Sequence, residues 1–133
     1  QLFLVPVDRF MEKLKPGPIY GRANWFIAAT PDMRWDAQPP RLAFAHVTPQ
    51  NAGETLFVRS ERQTLRRLPR TGAILFAIGI YVAPLAGLSH GNVRRLADAM
   101  QSLLDGEGER RGAGAYAPAL IGYARARQQE AGR

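Results

Sequence analysis

Apolar residues at Val7, Phe10, Met11 and Leu14 recur at helical spacing, with Asp8 near the start where an acid favours the helix dipole. Lys13 and Lys15 close the run and Pro16-Gly17-Pro18 stops it, so a helix is predicted over residues 7–14. Residues 23–28, Ala-Asn-Trp-Phe-Ile-Ala, are aromatic and β-branched enough for a strand. Pro31, Pro39, Pro40 and Pro49 then predict an irregular loop over most of residues 30–53. A long strand is expected over 54–68, a turn at Pro69-Arg70-Thr71-Gly72 and a second strand over 73–82, ended by Pro84. Together these make an antiparallel hairpin. Asn92 is the expected N-cap of a helix over 93–104 whose one face carries Val93, Leu96, Ala97, Met100, Leu103 and Leu104. Residues 105–114 read as a flexible solvated linker and 117–129 as a last helix with a weak apolar face. No internal repeat is present.

Between Arg70 and Arg94 no side chain is charged apart from the titratable His90, and residues 73–88 are almost wholly apolar. A membrane-spanning helix needs about 20 such residues. This run is shorter and contains Gly79, Pro84 and Gly87, so it is expected to be a buried central strand. The chain opens with Gln1 inside the apolar run Leu2-Phe3-Leu4-Val5, with no charged region before it. That opening is expected of the remainder of something longer, or of a processed product, rather than of a signal peptide. With no targeting segment, a cytoplasmic location is expected.

A length of 133 residues with 46% hydrophobic content suits one compact globular domain and excludes a disordered chain. The absence of cysteine excludes disulfides, thiolate nucleophiles and cysteine-ligated zinc or iron–sulfur centres. Only two histidines, His46 and His90, are available to a metal. The charge is +7, and 16 of the 18 basic residues are arginine. Guanidinium groups pair in planar, bidentate fashion with carboxylates and phosphates, so anionic partners are expected: nucleic acid, a cofactor's carboxylates or an acidic subunit.

Five of those arginines lie between Arg59 and Arg70. On a strand, Phe57, Arg59, Glu61, Gln63, Leu65 and Arg67 share one side, and Val58, Ser60, Arg62, Thr64, Arg66 and Leu68 share the other. Neither side is a clean apolar stripe, and Glu61 with Gln63 suggests a polar network in an otherwise apolar pocket. On pattern alone the plainest reading is a solvated edge strand whose charges prevent aggregation. No aromatic residues interleave with the arginines, which disfavours single-stranded nucleic acid.

The run Glu61-Arg62-Gln63-Thr64-Leu65-Arg66-Arg67-Leu68-Pro69-Arg70-Thr71-Gly72-Ala73-Ile74-Leu75-Phe76, followed by Tyr81 and Pro84-Leu85, resembles the haem-dependent oxidative N-demethylase family. Val7-Asp8-Arg9-Phe10 and Asn24-Trp25 are similar to the same family, and the resemblance covers about residues 5–104. It implies a PAS-like α+β fold holding haem b. The implied activity oxidises a secondary amine such as dimethylamine to a primary amine and formaldehyde, with electrons from a separate flavin and iron–sulfur component. A PAS domain ends with a helix and three antiparallel strands, which suits the predicted elements. Residues 1–90 would be the rear part of that domain and 91–133 a helical tail. The resemblance implies that Arg59, Arg62 or Arg66 anchors haem propionate, with Tyr81 at the cofactor. Glu61, with Gln63, would pair with a protonated amine.

This sequence departs from the family's pattern in three ways. The chain is expected to start after the opening strands of a PAS domain and after an upstream histidine suited to iron, and Gly79 stands where family members typically carry arginine. His46 and His90 are then the remaining candidate ligands. Two readings follow: a haem N-demethylase subunit, or a PAS-derived assembly subunit, completed by other chains, that has lost haem binding.

Overall fold

A computed structural model describes residues 4–34, 40–105 and 112–132. The chain is a mixed α+β protein in which a three-stranded antiparallel sheet of order β1-β2-β3 is preceded and followed by helices. The elements are α1 (Leu4–Lys13), β1 (Tyr20–Ala28), α2 (Pro40–Ala43), α3 (Ala52–Thr55), β2 (Phe57–Arg67), β3 (Ile74–Pro84), α4 (His90–Leu104) and α5 (Ala117–Ala131). Short 3-10 turns stand at Leu85–Gly87 and Ala113–Ala115.

The helices, the hairpin and the strands fall where periodicity and turn residues predict them, with several corrections. The segment before β2 is not uniformly irregular. Thr48 N–H donates to Asn51 Oδ1 at 2.7 Å, Asn51 N–H to Thr48 Oγ1 at 3.3 Å, and Asn51 Nδ2 to the His46 carbonyl at 2.9 Å. These reciprocal bonds start α3, so residues 54 and 55 are helical and β2 begins only at Phe57. Ser89, not Asn92, caps α4, because its hydroxyl accepts from the Asn92 N–H at 3.3 Å. In the expected linker, residues 106–111 lie outside those described, whereas Ala113 is fully buried in a 3-10 turn.

The hairpin turn needs Gly72, which adopts φ +69°. Leu68 N–H bonds to Ala73 O at 2.8 Å at one end of the β2–β3 pair, and Leu85 N–H to Leu56 O at 2.8 Å at the other. These two bonds set one register along the strands, so Ser60 lies opposite Tyr81 and Arg62 opposite Gly79.

The sheet order reverses two expectations. The arginine-bearing β2 is the central strand and the uncharged β3 is an edge. An apolar run without periodicity fits burial on both faces, but β3 pairs with β2 alone among the described strands and leaves Leu75, Phe76, Ile78 and Tyr81 about half exposed.

The chain forms two compact units, Gln1–Trp25 with Ser60–Tyr81, and Phe26–Arg59 with Val82–Arg133. In the first, Arg67 ties the parts together: its guanidinium donates to the carbonyls of Met11, Leu14 and Gly72 at 2.6, 2.7 and 2.6 Å. It thereby satisfies carbonyls that the end of α1 leaves open. Phe10 meets Tyr20 edge-on at 6.3 Å. The second unit holds the main core, where Leu56, Leu85, Val93, Met100 and Leu120 are fully buried and Phe44 packs on Tyr116 at 4.7 Å. Pro118 is tolerated because the start of α5 needs no intrahelical N–H there. Among the described residues no helix is long and apolar enough to cross a membrane.

Candidate functional site

The first unit carries an open groove of about 590 Å³, lined by Ile19, Gly21, Arg22 and Ala23 around β1, Ser60, Glu61, Arg62 and Thr64 of β2, and Tyr81 of β3. That volume lies within the roughly 300–1,000 Å³ usual for small-molecule sites. Small residues keep the floor shallow. Even a Cβ added at Gly21 would come only within ordinary contact of Gln63 O and Thr64 Cγ2, at 3.6 and 3.7 Å. Above the neighbouring Gly79, the Tyr81 ring lies 3.5–3.8 Å from the place a Cβ would take. A Cβ there would therefore make only ordinary contact with the ring.

Alternation along β2 sorts the expected site residues into two sets. Arg62 shares a side with Ser60 and Thr64, and its side chain is exposed at the groove. Glu61 and Gln63 share the opposite side, where a hydrogen-bonded chain joins them. Gln63 Nε2 donates to Glu61 Oε2 at 3.0 Å, and Arg22 Nε donates to Gln63 Oε1 at 2.7 Å. The polar network expected of Glu61 and Gln63 is present. It includes Arg22, which the sequence pattern did not single out because 41 positions separate it from its partner.

The other expected residues stand elsewhere. Arg59 is only 4% exposed; its Nη1 donates to the carbonyls of Asp32 and Met33 at 3.2 and 2.8 Å, and its guanidinium lies 5.6 Å from the Phe26 ring centre. Arg66 is exposed but does not line the groove. His46 and His90 are exposed residues of the second unit, and neither is among the groove's lining residues. His90 instead borders a separate depression formed by α4 and α5 with Arg94, Asp98 and Gln128. No cluster of three or more His, Cys, Asp or Glu side chains suited to a metal ion occurs among the described residues.

A family model described as haem-dependent oxidative N-demethylase, alpha subunit-like, matches residues 4–121. The chain belongs to that family. The match takes in α1, the whole sheet, α4 and the start of α5, so it covers both units. The family name carries haem dependence and a subunit of an assembly. For a haem-dependent N-demethylase the groove presents a divided fit. Arg62, exposed beside small residues, suits the carboxylate edge of a haem. The lining residues include no histidine for its iron.

Proposed function

We propose that this chain is the haem-bearing subunit of an oxidative N-demethylase, and that the β1–β2 groove of its first unit is where haem b meets the protein. The observation that carries this reading is the exposed Arg62 over a floor of small side chains, in a chain of the N-demethylase family. When bound, haem b would supply the oxidation of a secondary amine of the dimethylamine type to a primary amine and formaldehyde, with electrons from a flavin and iron–sulfur partner.

The chain's own residues have narrower tasks. Arg62 pairs with a propionate, Arg66 is a second exposed cation on the same side of β2, and Tyr81 closes the β3 side of the groove. Glu61 is a lining residue of the groove, but its side chain stands on the opposite side of β2 with Gln63, and there its carboxylate is the group to hold a protonated amine. Gln63 fixes one Glu61 oxygen through its amide and keeps Arg22 on the far side of itself. Arg59 belongs to this scheme only as a second-unit arginine near Phe26. The nine lining residues include no histidine, and the chain's two histidines, His46 and His90, belong to the second unit. In this reading residues 1–90 are the rear part of a PAS-like domain and 91–133 its helical tail.

A second reading draws on the absence of histidine from the groove's lining: a PAS-derived assembly subunit that no longer binds haem. Titration of the protein with haemin, followed in the Soret region, separates the two. The enzyme reading expects a saturable Soret band at one haem per chain, perturbed by dimethylamine. Arg62→Ala should weaken binding by roughly tenfold or more, because hydrogen bonds to charged groups contribute about 1.5–3 kcal/mol. A spectrum identical to free haemin at every ratio would support the assembly reading instead.

A further inference from the structure

In the first unit, hydrogen bonds link the side chains of Arg22, Gln63 and Glu61 in a row with one possible direction. A guanidinium N–H only donates and an ionised carboxylate only accepts. Gln63 stands between them: its Oε1 accepts from Arg22 Nε–H at 2.7 Å and its Nε2 donates to Glu61 Oε2 at 3.0 Å. An amide can serve both neighbours at once because its oxygen accepts and its nitrogen donates. The strand register shows what can orient it. With Ser60 opposite Tyr81, Gln63 lies opposite Ile78 and Glu61 opposite Ile80, so their cross-strand neighbours on β3 are aliphatic. The side chain that meets the Gln63 oxygen is Arg22, from β1.

We propose that Arg22 is a positioning residue of the amine site: its donor fixes the Gln63 amide so that nitrogen, not oxygen, faces Glu61. The inference rests on the reading of Glu61 as the group that holds a protonated amine, and it names the residue that keeps Glu61 in that role. The oxygen and nitrogen ends of an amide are nearly alike in shape, so the bonds they make decide which way round it sits. Turned over, Gln63 would set its carbonyl against the Glu61 carboxylate, two acceptors with no proton between them. Glu61 would then swing away or take up a proton, and a neutral acid has no charge to hold an ammonium ion. A hydrogen bond from a charged donor is roughly twice as strong as a neutral one, which gives Arg22 the deciding share. Arg22 acts through Gln63 and need not touch the amine.

The test is a calorimetric titration of the full chain with dimethylammonium chloride, beside heteronuclear NMR of the Gln63 side-chain amide. Glu61→Gln should abolish dimethylammonium binding. Arg22→Met should weaken it by about threefold or more, because residues sharing one hydrogen-bonded network are energetically coupled. Gln63→Met should weaken it as much, and adding Arg22→Met to Gln63→Met should cost nothing further. In Arg22→Met the Gln63 amide resonances should move towards those of a solvated glutamine. Arg22 is itself exposed, so the variants should keep the circular dichroism spectrum of the unaltered chain. Arg125→Met removes the same charge from an exposed position on α5 and should bind like the unaltered chain.

Unchanged binding in Arg22→Met overturns the inference while leaving Glu61 its amine. So does an equal loss with Gln63 present and absent, which would make Arg22 a matter of charge alone. No binding by the unaltered chain, or full binding by Glu61→Gln, overturns the reading of Glu61 itself and the inference with it.

Discussion

Arg59 and Arg67 direct their guanidinium groups at backbone carbonyls, and both depend on neighbours far away in sequence. Arg67 reaches carbonyls at Met11, Leu14 and Gly72, the first two more than 50 positions off. Arg67→Ala should open the end of α1 and the hairpin turn, lowering stability by about 1–3 kcal/mol. Hydrogen exchange should show the loss concentrated in α1 amides, and uniform acceleration across the chain would contradict it. Arg59 is buried on Asp32 and Met33 carbonyls and against Phe26, so Arg59→Ala should lower stability by a similar amount, read as a lower urea midpoint. Lysine should not restore it, because an ammonium has neither the planar face nor the fork. The cluster of arginines was visible in the sequence. Which of them face carbonyls and which face the groove was not, since a one-residue step along β2 exchanges the two sides.

At the scale of elements, local signals placed the helices and the hairpin well. Pro16-Gly17-Pro18 ends the first helical segment, and Gly72 makes the turn. They failed where side chains build structure against the propensity of the chain. The Thr48–Asn51 pair nucleates α3 inside a proline-rich stretch, and Ser89 takes the cap from Asn92. The weak apolar face of α5 is explained by close packing of small residues: Ala117, Ala119 and Ala124 are buried with Leu120. A Cβ at Gly122 would stand 2.9 Å from Pro49 Cβ, closer than real contacts allow. Gly122→Ala should therefore destabilise the protein by about 1–3 kcal/mol. Helix propensity alone predicts a gain of about 1 kcal/mol, so the sign of the change in denaturation midpoint separates the two effects.

For the whole molecule, burial sits largely in the second unit while the candidate site lies in the first. Leu120 is fully buried in that core, and Leu120→Ala should cost about 2–5 kcal/mol in chemical denaturation. Composition alone indicated a globular, arginine-rich, cysteine-free chain. The motif from Glu61 to Phe76 was long enough to point to the family that the match over residues 4–121 establishes. These properties follow from local pattern or from runs of adjacent residues, so the chain determines them without a fold. The order of the strands does not. A charged strand reads as an edge and an apolar one as a centre, but the sheet places β2 in the middle, where its arginines reach carbonyls and the groove, and leaves β3 at the rim. That choice, and with it the pairing of Gln63 with Arg22 and the exposure of Arg62, rests on contacts between distant segments. Only the tertiary structure decides such contacts, because alternation tells which residues share a side and never what that side will meet.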